Sequence, residues 1–380
     1  MCNLVSWCLG GLVLMFSAAD HEFMARALRL AERGLYTTTP NPRVGCVLVR
    51  DGAVVGEGWH ARAGEPHAEA HALAAAGAEH PNAARGATAY VTLEPCSHHG
   101  RTPPCTDALI AAGVARVVAA MRDPNPQVAG RGLQQLRAAG IEVADGLLAH
   151  EARELNIGFA SRMERGRPWL RLKLAASLDG KTALANGKSQ WITGPEARRD
   201  GHFFRARACA ILTGAGTVRD DDPRLTVRDV ATSRQPLRVV VDSRYETPPT
   251  ARILEGGNTL VAAASEDAAK SAALRAAGAE VAVLPDPHGK VDLPRLLAVL
   301  AERGVNELHV EAGHKLNGSL LREGLVDELL LYFAPTLLGS GREMFPLPEL
   351  TDLAGRRDLK LVDLRRIGGD IRILARPLPA

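Results

Sequence analysis

The chain has 380 residues, 46% apolar, 23% charged and only 4% aromatic, and its 46 basic against 43 acidic residues leave a formal net charge of +3. Balanced charge with ordinary apolar content excludes a disordered or collagen-like chain, and the length allows about two or three cores. A near-neutral chain with few aromatics lacks the basic footprint and stacking platforms of a nucleic-acid binder, so no nucleic-acid partner is expected.

Residues 1–19 stand apart as an apolar leader. Residues 4–19 carry no charge and end Ser17-Ala18-Ala19, the form of an export cleavage site. No Lys or Arg precedes the run, however, and it is short for a membrane span of about 20 residues. Translation from Met15 is the preferred reading, with export second and a membrane anchor third, and Asp20 is expected to cap the first helix. Cys2 and Cys8 lie in this leader. Cys46, Cys96, Cys105 and Cys209 are too scattered for a disulfide framework, which favours a reducing compartment.

Residues 22–33 place Phe23, Ala27 and Leu30 on one side of a helix that Gly34 stops. Thr39-Pro40-Asn41-Pro42 is a turn, because each proline drives the residue before it out of the α region. Strands at 44–49 and 54–59 are joined by Asp51-Gly52, a strong hairpin signal. An Ala-rich helix at 68–78, a strand at 87–93, a helix beginning near Cys105, a strand at 114–119, a helix at 133–139 and a strand at 141–143 complete a three-layer α/β unit. A polar stretch, 151–167, is expected to carry the chain away, with a boundary near 165. Strands then recur at 170–175, 208–213, 237–242, 259–264, 281–284, 307–311 and 328–335, a second α/β domain. The domains are thus 20–165 and 166–380.

In the first half His67-Ala68-Glu69 precedes Pro95-Cys96, and Cys105 follows. One His, two Cys and a Glu that is not a ligand are the parts of a zinc-dependent deaminase. Three protein ligands leave the fourth tetrahedral position to water, which marks a catalytic and not a structural site. His67 and Glu69 lie about 200° apart on a helix, so both must sit in its first turn to face one point. Pro95 is expected to start a helix whose N-terminus stabilises a Cys96 thiolate. The generic signature spaces its cysteines two residues apart, whereas eight residues separate these, and His98 and His99 are rival ligands.

In the second half Gly214-Ala215-Gly216 follows a strand, but Arg219 holds the third glycine position, so a Rossmann fingerprint fails. Glu311-Ala312-Gly313-His314-Lys315-Leu316-Asn317-Gly318-Ser319 has the form of a strand, a glycine turn and a helix start, which can bind phosphate but also describes an ordinary βα turn.

Thr39-Pro40-Asn41-Pro42-Arg43-Val44-Gly45, His67-Ala68-Glu69 and the run from Thr92-Leu93-Glu94-Pro95-Cys96 through Pro103-Pro104-Cys105 together resemble the bifunctional riboflavin-biosynthesis deaminase/reductase family. In that family the long insertion between the cysteines is the expected form. Lys173-Leu174-Ala175, Ser189-Gln190-Trp191, Gly216-Thr217-Val218 and Asp221 through Arg228 are similar to its reductase half. The resemblance implies an α/β protein, with a three-layer cytidine-deaminase-like domain followed by a dihydrofolate-reductase-like α/β domain.

It further implies one zinc ion on His67, Cys96 and Cys105 with Glu69 as the catalytic acid/base. NADPH would be held by Ala175, Trp191, Thr217, Asp221, Ser243 and the turn Gly313, His314, Lys315, Leu316, Asn317, Gly318 and Ser319. The phosphorylated pyrimidine substrate would lie against Asn41, Ser189, Arg205, Leu225, Arg228 and Glu311. Arg205 and Arg228 are forks suited to a phosphate monoester, and Lys173 and Glu311 are titratable strand-end groups. A homodimer through the reductase half, no membrane partner and a cytoplasmic location complete the expectation.

Overall fold

In the computed structural model, which describes residues 16–98, 103–126 and 128–378, the chain separates into two units. The first takes the chain to Gly34 and Arg43–Leu155, and the second takes Leu35–Pro42 and Asn156–Ala380. Residues 1–15 of the leader, on which the start-site and export readings turn, lie outside the described residues, as does His99. Among the described residues no helix is long and apolar enough to cross a membrane.

In the first unit, helix α1 (Ala18–Glu32) is capped by Ser17, not by Asp20. The Asp20 N–H donates to Ser17 Oγ at 3.1 Å, and Asp20 Oδ2 accepts the Ser17 N–H at 2.8 Å. Asp20 is therefore the third residue of a reciprocal capping box, where an acidic side chain satisfies the cap from inside the helix. Its other oxygen accepts from Tyr90 Oη at 2.8 Å and Arg116 Nη1 at 2.6 Å, which ties α1 to the sheet.

Strands β1 (Gly45–Arg50) and β2 (Ala53–Trp59) form the expected hairpin, with Asp51 at φ 53° and Gly52 at φ 76° turning it. Then follow α2 (Ala68–Glu79), β3 (Thr88–Val91), α3 (Cys105–Ala111), β4 (Arg116–Ala119), α4 (Arg131–Ala138), β5 (Glu142–Asp145) and α5 (Ala149–Leu155). The sheet runs β2-β1-β3-β4-β5, with β3, β4 and β5 parallel. Alternation along β1 sends Cys46 and Leu48 to one face, with Ala68, Ala72 and Ala76 of α2, and Val47 and Val49 to the other, with Met24 and Ala27 of α1. Three layers result. The approach of α2 to β2 is unusually close, because Gly56 and Gly58 lie beneath it. A Cβ on Gly58 would stand 2.4 Å from the Ala68 carbonyl oxygen.

The polar stretch expected to lead the chain away is helical instead, as α5 and α6 (Ile157–Arg165). Ala152, Ile157 and Ala160 are buried, and Gly166 at φ 65° ends α6, so burial of a narrow small-residue face overrides the polar composition. In α6, Arg162 Nε donates to Asn306 Oδ1 at 2.6 Å and Arg165 Nη1 pairs with Asp327 at 2.8 Å, contacts that place this helix in the second unit.

The second unit continues through β6 (Trp169–Ser177), β7 (Lys181–Leu184), α7 (Pro195–Arg207), β8 (Ala210–Gly214), α8 (Ala215–Asp221), β9 (Leu237–Val241), β10 (Thr259–Ala263), α9 (Ala268–Ala276), β11 (Ala279–Val283), α10 (Leu293–Glu302), β12 (Glu307–Val310), α11 (His314–Arg322), β13 (Glu328–Ala334), β14 (Gly341–Glu343), β15 (Leu359–Ile367) and β16 (Asp370–Pro377). Nine strands form one sheet in the order β11-β10-β9-β8-β12-β6-β13-β16-β15, parallel from β11 to β13, with β16 and β15 antiparallel. Strands β7 and β14 pair separately.

Two features of this sheet matter for the site. First, β8 leads through α8 to β9 on one side, whereas β12 leads through α11 to β13 on the other, so the winding reverses between the adjacent strands β8 and β12. Ligands of open parallel sheets bind in the crevice at such a switch point. Second, Arg171 is buried between Glu307 and Glu328, with Arg207 also pairing Glu307 at 2.7 Å and Arg376 pairing Glu328 at 3.1 Å.

Candidate active sites

The residues of the expected metal centre converge in the first unit. His67 is the N-cap of α2, with extended backbone at φ −74° and ψ 167°, and Glu69 is the second residue of that helix, so both lie in its first turn as the geometry demanded. Cys105 opens α3. His67 Nδ1 lies 3.3 Å from Cys105 Sγ and 3.5 Å from Cys96 Sγ, and the three ligand atoms all stand within 4.8 Å of one another. Zinc at about 2.3 Å from sulfur and about 2.0–2.1 Å from nitrogen fits a triangle of this size. Of the two rivals, His98 is exposed and does not join the group, and His99 lies outside the described residues.

The expected helix at Pro95 does not form, and Cys96 lies on irregular chain. Its sulfur still meets a helix start, because the Cys105 N–H at the head of α3 donates to Cys96 Sγ at 3.3 Å. Hydrogen bonding from the Cys105 side chain, together with His67 and this N–H, lowers the Cys96 thiol to about 4 although burial opposes the shift. A ready thiolate beside a histidine is the donor chemistry zinc prefers. Glu69 is buried behind the triangle, within reach of Cys105, and burial with the nearby Cys96 charge pushes it up to about 7.

Glu94 holds the Cys96 segment in place, a role the sequence reading missed. Its buried carboxylate accepts the backbone N–H groups of Asp123, Gly130 and Gly132 at 3.1, 2.9 and 2.8 Å. One side chain immediately before Pro95-Cys96 therefore satisfies the loop that leads into α4. The available signal was an acidic residue inside an otherwise apolar strand end.

In the second unit the ends of β8 and β12 lie side by side at the switch point. Gly313 caps α11 with extended backbone and no side-chain cap, and a Cβ there would lie 3.7 Å from Thr217 Oγ1. Asn317 Nδ2 donates to the Ala312 carbonyl at 3.1 Å, but Asn317 Oδ1 and Thr213 Oγ1 are buried with no partner. Uncapped helix N–H groups with two orphaned polar atoms fit a phosphate-bearing dinucleotide. Of the turn, Gly313 and Lys315 are exposed and His314 half-buried, whereas Leu316 packs on the core and Gly318 abuts Pro346. Gln190 Nε2 donates to Asp221 Oδ1 at 3.2 Å, Ser243 Oγ accepts the Val291 N–H at 3.2 Å, and Ala175 faces Tyr332 across β6 and β13.

Trp191 is not core: it is 70% exposed, with the Arg198 guanidinium 4.6 Å above its ring. Leu225 is buried in a hydrophobic cluster at φ 48°, Ser189 is half-buried, and Arg228 is exposed with Nη1 3.4 Å from Thr226 Oγ1. Arg205 is already engaged. It forks onto Glu311, with Nη2 to Oε2 at 2.9 Å, and Nη1 donates to the Thr226 carbonyl at 3.1 Å. Lys173 Nζ stands 3.9 Å from the same carboxylate and His309 Nε2 3.3 Å. Burial alone would raise Glu311, yet Arg205 and Lys173 hold it well below the usual carboxylate range, and burial pushes Lys173 down. Asn41 is carried on the Leu35–Pro42 segment of the second unit, which Thr39 Oγ1 ties to Cys209 Sγ at 2.7 Å and Asn306 Nδ2 ties through the Pro40 carbonyl at 3.0 Å.

Residues 17–121 match the family model for the cytidine and deoxycytidylate deaminase zinc-binding region, and residues 168–373 match the RibD C-terminal domain. The chain is 53% identical over 366 residues to the riboflavin biosynthesis protein RibD of Escherichia coli K12, covering 93% of this chain and 98% of that protein. It is 47% identical over 384 residues to the Haemophilus influenzae RibD, covering 96% and 99%. Among solved structures, Acinetobacter baumannii RibD superposes with a TM-score of 0.87 at 44% identity, over 95% of this chain and 99% of that one. A diaminohydroxyphosphoribosylaminopyrimidine deaminase/5-amino-6-(5-phosphoribosylamino)uracil reductase from Thermotoga maritima gives 0.83 at 36%, with the same coverage. With the ligands of a deaminase zinc centre gathered in one unit, a RibD C-terminal domain in the other, and relatives matched across both, the chain belongs to the bifunctional riboflavin-biosynthesis deaminase/reductase family.

Proposed function

We propose that the chain deaminates 2,5-diamino-6-ribosylamino-4(3H)-pyrimidinone 5′-phosphate and then reduces the ribosyl group with NADPH to give 5-amino-6-(5-phosphoribitylamino)uracil. The observation that carries the first step is the His67, Cys96 and Cys105 triangle with Glu69 buried beside it. Zinc held there supplies the Lewis acidity that makes water a nucleophile near neutral pH. Glu69 takes the proton released from that water and returns it to the departing amine, so water and an amino group become a carbonyl and ammonia.

For the second step, NADPH supplies the hydride and the chain supplies position. Gly313, His314, Lys315 and Asn317, with Thr217, Asp221, Ser243, Ala175 and Trp191, hold the cofactor. Arg228, whose guanidinium is exposed, takes the substrate phosphate. The Arg205–Glu311 pair, with Lys173 beside it, orients the ribosyl group, and Ser189 and Leu225 shape the pocket. Leu359, Leu361 and Leu364 are exposed on the edge strand β15, and a second copy of the chain covers them in a homodimer. A cytoplasmic location is part of this reading, supported by the free Cys96 and Cys105 and by the need for NADPH.

The test is to incubate the purified protein with the diaminopyrimidinone phosphate, with and without NADPH, following ammonia release and NADPH absorbance. Ammonia in both arms and NADPH oxidation in one are expected. Ammonia with no NADPH oxidation would overturn the two-step reading. Glu69→Gln should keep zinc and lose deamination while reduction of the supplied uracil intermediate continues.

A further inference from the structure

Between α8 and β9 the chain passes from Pro223 to Arg228 outside every helix and strand, yet side chains hold its main chain at three successive residues. Arg205 Nη1 donates to the Thr226 carbonyl at 3.1 Å. The Gln235 amide accepts the Val227 N–H at 2.8 Å and donates to the Val227 carbonyl at 3.1 Å, the pair of bonds that a facing strand residue would make. The Arg228 N–H donates to His202 Nδ1 at 3.2 Å. Leu225 and Val227 are buried whereas Thr226 and Arg228 are not, so burial alternates along the segment and leaves the Arg228 guanidinium on the outer side, beside Thr226 Oγ1.

His202 is suited to its part. It is buried on α7, one turn before Arg205. Burial, with the positive charges of Arg205 and Arg228, pushes its ring down to about 4, although Asp229 and Glu311 oppose the shift. The ring is therefore neutral near neutrality. Its Nδ1 keeps the lone pair that the Arg228 N–H needs, and the Nε2 hydrogen faces Asp229 Oδ2 at 3.5 Å. Arg205 ties the segment to the other charged group, because the guanidinium that reaches Thr226 also forks onto Glu311.

We propose that His202 and Gln235 are positioning residues, which hold Arg228 at a set place relative to the Arg205–Glu311 pair so that the substrate is gripped by its phosphate and its ribosyl group together. The inference rests on the reading of Arg228 as the phosphate ligand and deepens it. The two side chains act by ordering the segment before the substrate arrives, which removes an entropic cost from binding.

Steady-state reduction by the full-length protein at saturating NADPH tests this. The substrates are 5-amino-6-(5-phosphoribosylamino)uracil and the same compound without its phosphate, and the readout is the ratio of their kcat/KM values. The unmodified protein is expected to prefer the phosphorylated compound, and Arg228→Ala to lower that ratio by about 10- to 100-fold, as loss of a charge-assisted contact requires. His202→Ala and Gln235→Ala should each lower it by about 3- to 10-fold, through KM and not kcat, and leave the dephosphorylated compound unaffected. In the Arg228→Ala background neither should lower it further. His202→Gln, which keeps an acceptor and guards against a folding defect of the alanine variant, should restore most of the ratio. If Arg228→Ala leaves the ratio intact, the phosphate reading fails and this inference with it. If Arg228→Ala abolishes the preference while His202→Ala and Gln235→Ala preserve it, or if they slow both substrates equally, the phosphate reading stands and the positioning role is overturned.

Discussion

Gly58→Ala is the smallest change that should disable one activity and spare the other. The added methyl group would stand 2.4 Å from the Ala68 carbonyl oxygen and 2.6 Å from the Ala72 nitrogen, about 1 Å short of ordinary contact. Both obstacles are backbone of α2, so no side-chain rotation relieves them, and the helix must lift. Overpacking of this kind costs about 1–3 kcal/mol of stability. The lift falls on the helix start, where His67 is the cap and Glu69 the second residue. A displacement of about 1 Å at reacting groups costs about 100-fold in rate. Deamination is therefore expected to fall by about that factor, with weaker zinc retention, while reduction of the supplied uracil intermediate stays near the unmodified rate. Ammonia release, metal content and NADPH oxidation measured on one preparation check all three. Full deamination with zinc retained would refute the claim that glycine in β2 sets the height of α2.

Glu94→Gln turns one oxygen that receives backbone N–H groups into a donor facing donors, so a loss of about 1–3 kcal/mol is expected, together with faster zinc loss. An unshifted thermal melt would contradict the role given to Glu94. Asp20 gives a pH dependence. Burial raises its carboxyl, but Arg116, Ser17 and Tyr90 more than offset this and hold it well below the usual range. A folded value below the unfolded one stabilises above about pH 4, and that stability is lost as pH falls through the folded value. Asp20→Asn should therefore unfold at lower denaturant than the unmodified chain near neutrality, with the gap narrowing in acid. A gap constant with pH would refute the assignment.

The residues of the metal centre were legible because their chemistry is local: a ligand and a carboxylate two residues apart must share a first turn, and His67 and Glu69 do. The β1–β2 hairpin was legible from Asp51-Gly52 for the same reason. What the sequence concealed depends on distant partners. Nothing near Asp20 reveals that Ser17 caps the helix while Asp20 answers Tyr90 and Arg116. Arg205 looked like a phosphate fork, and only the fold shows its fork occupied by Glu311. Strands β15 and β16 escaped notice because Lys360, Asp363, Arg365 and Arg366 interrupt the apolar pattern of an outer hairpin. The helix expected at Pro95 was the right electrostatic idea at the wrong place, since the stabilising N–H comes from Cys105.

The buried charge of Arg171 imposes an order on synthesis. Its partners Glu307 and Glu328 come 136 and 157 residues later, and a buried charge missing a partner is strongly destabilising. The first unit has all five strands of its sheet once Asp145 has left the ribosome. Strand β6, flanked by β12 and β13 in the second sheet, cannot close over Arg171 until β13 has emerged, and Glu328 gains its second cation only with Arg376. The reductase half therefore folds last and almost all at once, and truncation within β16 should leave a finished deaminase unit joined to an unfinished sheet.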